Sequence, residues 1–218
     1  MTRELFLKEM EALQADVVRM ATMAGEAIHA SVEALRALDA DWAERIVRDD
    51  DRIDALHLEL EDRCMRLLAR QQPMASDLRT IAAAFVITLD LERLADHAEG
   101  ISKSVKRLAG QPHLKPLIDI PRMEELVQQM LRESMDAFLR RDTALAEAMA
   151  KRDDEVDALR SQVFRELLTY MLSDPRTIPR ALELLLVAQN LERAADHITN
   201  IGERVIYMVT GELRELNV

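Results

Sequence analysis

Asp90-Leu91-Glu92-Arg93-Leu94-Ala95-Asp96-His97 occurs twice in this chain, returning one hundred residues later as Asn190-Leu191-Glu192-Arg193-Ala194-Ala195-Asp196-His197. Each copy lies in a long run of helical periodicity, which puts Glu92 and Asp96 one above the other on a single helix face. Like charges at i and i+4 disfavour a helix by about 0.2–0.5 kcal/mol. A costly pair repeated in the same setting points to a bound cation.

The flanks of the motif set its helices. Ala84, Leu91, Ala98 and Val105 form one line of a heptad seam, and Ile87, Leu94, Ile101 and Leu108 the other. The second copy repeats it with Leu184, Leu191, Ile198 and Val205 beside Val187, Ala194, Ile201 and Met208. This spacing predicts a helix capped by Ser76 and running to about 109, and another from the Asp174-Pro175 turn to near Gly211. Upstream, the stripe Leu5, Met10, Leu13, Val17, Met20 predicts a first helix over about 4–38, with Gly25 marking a bend or a close contact. A second helix is predicted from an Asp39 or Asp41 cap to Gln71-Gln72-Pro73, where the proline disfavours helical geometry before it. Gly110 to Pro121 is the one concentration of breakers and predicts a linker over 110–121. Helices over about 121–140 and 143–172 follow. Asp50-Asp51-Arg52-Ile53-Asp54-Ala55-Leu56 has its counterpart in Asp153-Asp154-Glu155-Val156-Asp157-Ala158-Leu159. The chain is therefore a duplicated unit. The expected fold is all-α, two tandem pseudo-symmetric three-helix bundles at 1–109 and 122–218, with antiparallel neighbours.

Composition agrees and narrows the function. Hydrophobic content is 49%, with 5 Gly and 6 Pro among 218 residues, as expected of a helical globular protein. A net charge of −11 and 3% aromatics argue against nucleic acid as the main partner, because phosphate contacts need a basic face and bases need stacking platforms. Cys64 is the single cysteine, so neither an intrachain disulfide nor a cysteine-rich metal site is available. Without a signal-peptide core or about 20 uninterrupted apolar residues, the chain is expected to be cytoplasmic.

Hairpin register places the acids. Asp50 with Asp96, and Asp54 with Glu92, both centre on position 73; Asp153 with Asp196, and Asp157 with Glu192, centre between 174 and 175. Residues equidistant from an antiparallel turn lie at one level, roughly 30 Å from it at 1.5 Å per residue. Four carboxylates thus meet twice. With Leu91 and Leu94 in the seam, Glu92 and Asp96 point away from the bundle axis, so each cluster should lie on the surface along a groove between helices. Oxygen ligands there suit hard cations, or iron and manganese. The plainer alternative is a solvated charged face, with Arg93 and Arg193 neutralising part of it.

Other constellations are weaker. A di-iron carboxylate bundle needs Glu-x-x-His on inward faces; Glu26-Ala27-Ile28-His29 fits and Asp54-Ala55-Leu56-His57 comes close, but Arg160 stands where His57 would recur. His29 and His57 therefore read as ordinary packed or surface residues. His97 and His197 lie about 100° around the helix from the neighbouring Asp and are secondary as ligands. Cys64 reads as a partly buried hydrophobe. No glycine-rich phosphate loop, nucleophile elbow or His-Glu-x-x-His is present. Phe85 and Leu89, outward and beside the acids, suggest a contact surface for a partner or second subunit.

The two Leu-Glu-Arg-x-x-Asp-His copies, the two Asp-rich segments and Pro73-Met74-Ala75-Ser76-Asp77-Leu78-Arg79, taken together in this order, resemble the PhoU family of phosphate-signalling regulators, from Leu5 to about Gly211. The resemblance implies two tandem three-helix bundles that bind metal ions (iron, manganese, magnesium or zinc) on surface carboxylates. Carried over, one site is Asp50, Asp54, Glu92 and Asp96, and the other Asp153, Asp157, Glu192 and Asp196. It further implies a non-enzymatic negative regulator of phosphate uptake and of the phosphate-starvation response, coupling a phosphate ABC transporter (ATPase and permease) to a sensor histidine kinase. Such proteins are often homodimers, and reach the membrane only peripherally, through partners. The sequence departs from the pattern at Asn190, which stands where Asp90 would recur. Alternatives are an accessory regulator of a low-affinity phosphate transporter and a metal-dependent carboxylate-bundle enzyme.

Overall fold

The computed structural model describes residues 3–71 and 73–216, apart from the side chain of Gln71. Gln72 of the predicted stop, and the ends Met1-Thr2 and 217–218, lie outside the described residues. The helices are α1 (Arg3–Ala37), α2 (Ala40–Asp49), α3 (Asp51–Gln71), α4 (Ser76–Leu108), α5 (Asp119–Arg140), α6 (Thr143–Ala150), α7 (Asp153–Ser173) and α8 (Ile178–Thr210), with a 3-10 turn at Pro175–Thr177 before the last. Described residues contain no strand. Both heptad seams are buried along their whole length.

The duplication extends to the turns. Leu38 and Arg141 adopt left-handed backbone (φ 52° and 55°), and the following Asp39 and Asp142 each accept a hydrogen bond from a backbone N–H three residues on, Trp42 (2.8 Å) and Leu145 (3.0 Å). These are side-chain N-caps. Ser76, by contrast, does not cap α4: it is the first helical residue, and Ala75 at φ 47° holds the cap position with no side-chain bond. Pro121 and Pro179 sit in the first turns of α5 and α8, where a missing N–H costs nothing.

Two predicted helices are each divided. The second becomes α2 and α3, interrupted at Asp50; the fifth becomes α6 and α7, interrupted at Lys151 and Arg152. Short i to i+3 bonds bridge both joints, Ile53 N to Asp50 O (2.8 Å) and Glu155 N to Arg152 O (3.0 Å). The runs Asp49-Asp50-Asp51 and Asp153-Asp154-Glu155 favour a helix start, because carboxylates are stabilised at the positive end of the helix dipole.

The two bundles do not sit apart on a flexible tether. α4 and α8 pack side by side and antiparallel, and one continuous hydrophobic cluster runs through both halves. Arg79 Nε of α4 donates to Met208 O near the end of α8 (3.3 Å), and Arg107 Nη1 at the other end of α4 to Glu183 (3.2 Å). α1 meets α5 as well: Gln128 Nε2 donates to Gly25 O (2.7 Å), and a Cβ on Gly25 would stand 3.0 Å from Leu131. Gly25 is thus a close helix contact within an unbroken α1. The crossover is pinned through Lys115, whose side chain is 2% exposed, bonded to Glu166 and 4.0 Å from Asp119.

Candidate metal centre

The breaks in the helices fall where the acids are. Asp50 closes α2 and opens α3, whose first turn holds Asp54; Asp153 opens α7, with Asp157 one turn on. α4 and α8 bring Glu92/Asp96 and Glu192/Asp196 against them. The glutamates are partly sunk in their grooves, with side-chain exposures of 20% and 21%. Asp50 is pushed up to about 6, by burial first and then by Asp54, Asp96, Glu99 and Glu92. Glu92 is raised by burial, then by Asp96 and Asp54 against Arg93 and His57. Glu192 is raised by burial, opposed by Arg160 and reinforced by Asp157 and Asp153. Asp196 is raised by burial and then by Glu192 and Asp157. All eight sequence-predicted residues therefore gather in two sets of four, each set repelling itself.

The histidines of the motif lie elsewhere, in the joint between α4 and α8. His97 Nδ1–H donates to Asn190 Oδ1 and His197 Nδ1–H to Asp90 Oδ1, both at 3.0 Å, and the two rings lie 5.5 Å apart. Asn200 Nδ2 also reaches Asp90, at 3.4 Å. Burial keeps His97 below its ordinary range, although the Asn190 bond opposes this. Asp90 and Asn190 are thus partners of the opposite bundle's histidine, not members of the acidic sets. The substitution at Asn190 belongs to this joint and leaves the second set intact.

Three neighbours of the patches escaped the sequence reading. His57 is close enough to Glu92 to stabilise its charge. Arg160, its equivalent, has Nε 3.8 Å from Glu192 Oε1. Glu99 adds repulsion at Asp50. The available signal was spacing: His57 and Arg160 stand three residues after Asp54 and Asp157, one turn along the same face. His29, of the Glu-x-x-His motif, instead donates to Glu124 (3.1 Å). Cys64 is fully buried, and burial pushes its thiol up to about 12, so it is an inert core residue.

The carboxylates of each patch are oxygen donors of the kind hard cations take. Glu92 Oε2 is buried and accepts no hydrogen bond among the described residues, with Arg93 Nε 3.4 Å away as its charge neighbour. His57 Nδ1 is likewise buried without a hydrogen-bond partner among them. The patches are nevertheless open: among the described residues no three His, Cys, Asp or Glu side chains converge on one ion position. A cation there would draw the carboxylates inward and relieve their mutual repulsion.

These features define a class, a doubled helical bundle with an acidic patch on each half. The chain belongs to the PhoU family: the PhoU domain matches residues 17–105 and again 120–205. It is 40% identical over 218 residues to a phosphate-specific transport system accessory protein PhoU homolog of Clostridium acetobutylicum, covering 100% of both chains. With the homolog of Aquifex aeolicus it shares 43% over 206 residues, 94% of this chain and 93% of the other. The crystal structure of PhoU from Pseudomonas aeruginosa superimposes with a TM-score of 0.90 at 35% identity, covering 95% of this chain and 100% of that one. The phosphate transport system regulatory protein PhoU from Streptococcus pneumoniae gives 0.89 at 31% identity, covering 96% and 99%.

Proposed function

We propose that this protein is a metal-binding accessory regulator of phosphate transport that holds down phosphate uptake and the phosphate-starvation response when phosphate is plentiful. In this reading it links a phosphate ABC transporter, through its ATPase and permease, to a sensor histidine kinase, acting as an adaptor and not as an enzyme. The observation that carries it is the pair of self-repelling acidic patches on a chain related over its whole length to phosphate transport accessory proteins. Asp50, Asp54, Glu92 and Asp96 would hold one metal site and Asp153, Asp157, Glu192 and Asp196 the other, with iron, manganese, magnesium or zinc as the ion. Bound metal supplies positive charge that organises each patch as a platform for contact. We assign the protein to the cytoplasm as a homodimer, reaching the membrane only peripherally through its partners. In support, no helix among the described residues is long and apolar enough to cross a membrane.

The test is complementation of a strain lacking the gene, with a phosphate-starvation promoter driving a reporter in phosphate-rich medium. The wild-type chain should restore repression, and Glu92→Ala/Glu192→Ala should fail to, while keeping its helical content and abundance. A fully derepressed strain carrying well-folded wild-type protein would overturn the proposal.

A further inference from the structure

The joint between α4 and α8 holds two imidazoles prepared in the same way. Helical side chains lean toward the N-terminus, so on these antiparallel helices the rings of His97 and His197 lean toward each other. His97 Nδ1 faces Asn190 Oδ1, and the Asn190 amide is held in that orientation by its Nδ2, which donates to Leu186 O (2.8 Å). The amide oxygen can only accept, so His97 Nδ1 carries the proton and Nε2 keeps its lone pair. His197 Nδ1 likewise donates to the Asp90 carboxylate, which leaves Nε2 as the acceptor nitrogen of the neutral ring. A metal-binding histidine is held in this way, its other ring N–H donated to a carboxylate or carbonyl that fixes the ring. The packing accommodates the pairing: a Cβ on Gly100 would stand 2.7 Å from Asn190 Oδ1, too close for the amide to stay against His97.

Three further observations point to a ligand. His97 Nε2 is buried and has no hydrogen-bond partner among the described residues. Asp90 is a carboxylate only 7% exposed, and among the described residues His197 is the one ionisable side chain of opposite sign within 4.0 Å of it. Asn200 adds only a neutral N–H, at 3.4 Å. Buried charge is ordinarily paired or bound to a metal. The ring spacing also suits a shared ion. A zinc–nitrogen bond of about 2 Å puts the ion about 3.2 Å from each ring centre, so two imidazoles at a tetrahedral angle have centres about 5.2 Å apart. Here they are 5.5 Å apart. Arg193 disfavours positive charge at His97, and Asp96 opposes it.

We infer that His97 and His197 hold one nitrogen-preferring divalent ion, of the zinc, copper or nickel kind, across the α4–α8 joint, with Asp90 balancing its charge and water completing its shell. This site is separate from the carboxylate patches and does not depend on their binding metal. Its donors are imidazole nitrogens, one from each half of the duplication, whereas hard ions such as magnesium take oxygen. An ion so held cross-links the two bundles.

The test uses untagged full-length protein carrying Glu92→Ala/Glu192→Ala, so that the patches and the joint are read separately. Metal lost from the wild type on that double substitution concerns the patches alone. Within the substituted background, competition with a chromophoric chelator should find one Zn2+ per chain that a large excess of Mg2+ does not displace. His97→Asn and His197→Asn keep an N–H near the place of Nδ1 and drop Nε2, and each should weaken Zn2+ at least tenfold. Asp90→Asn keeps the hydrogen-bond acceptor and should weaken it about tenfold. Cu2+ bound in place of zinc should show hyperfine coupling to two nitrogens in electron paramagnetic resonance, unchanged by His57→Ala. Circular dichroism of each metal-free variant establishes that it is folded, and Asp90→Asn carries the test where a histidine variant is not. No Zn2+ on the folded protein, displacement by Mg2+, a response to one histidine alone or to neither, or Cu2+ without nitrogen coupling overturns the inference.

Discussion

Asp50 is partly buried among four other carboxylates, Asp54, Asp96, Glu99 and Glu92, and its protonation follows from the burial first and then from them. Its carboxyl is raised from 3.8 to about 6, so the metal-free folded state holds the proton more tightly than the unfolded chain does. Folding therefore loses stability at this group as pH rises from about 4 through about 6. The full shift corresponds to roughly 3 kcal/mol, and solvent screening of this half-exposed group reduces it to about 1 kcal/mol. Asp50→Asn should thus stabilise the chelator-treated protein by about that much at pH 7 and negligibly at pH 4, read from paired thermal melts. Added metal should reverse the ranking. The neighbours His57 and Arg160 separate the two patches: one brings a nitrogen donor and the other a competing cation. Elemental analysis of untagged protein at limiting metal should find the loss on Glu92→Ala larger than on Glu192→Ala, and Arg160→Ala should narrow the difference. Equal, near-zero metal in all variants would remove the site assignment.

Among the helices and their connections, Lys115 is the most consequential single link. Its buried ammonium faces Glu166 and Asp119, and Gln162 Nε2 adds a bond to Asp119 at 3.3 Å. Removing the cation leaves buried Asp119 without its charge partner, so Lys115→Met should destabilise the protein by about 3 kcal/mol in urea unfolding. Asp119→Asn in the same chain should recover part of it, through non-additivity of contacting residues. The helix periodicities and the heptad seams were legible in the residues, since each is a local or short-range pattern. The breaks at Asp50 and at Lys151-Arg152 were not. Both sides of each break keep the apolar phase, and the competing signal, a run of acids suited to a helix start, reads equally well as a charged helix surface.

For the complete chain, the α4–α8 contact makes the two bundles one cooperative body. Its buried polar pairs, His97 with Asn190 and His197 with Asp90, tie each half of the duplication to the other in one register. Calorimetry should show one transition, and Asp90→Ala should lower its midpoint by leaving His197 and Asn200 unpartnered, at about 1–3 kcal/mol. Two separated transitions in the wild type would contradict this arrangement.

Local physics settled a great deal here. Heptad spacing and hairpin arithmetic sufficed to give an all-helical, doubled bundle and to bring eight carboxylates into two groups, because period and distance from a turn are properties of the chain alone. How the two halves face each other was beyond that reach. A residue on α4 has no positional relation to one on α8 until the bundles dock, so the sequence could not show that Asp90 and Asn190 serve the joint while Glu92 and Glu192 serve the patches. Nor could it show how far the carboxylates sink into their grooves: desolvation depends on every element packed nearby, and it is the first cause of the raised carboxyls in both patches.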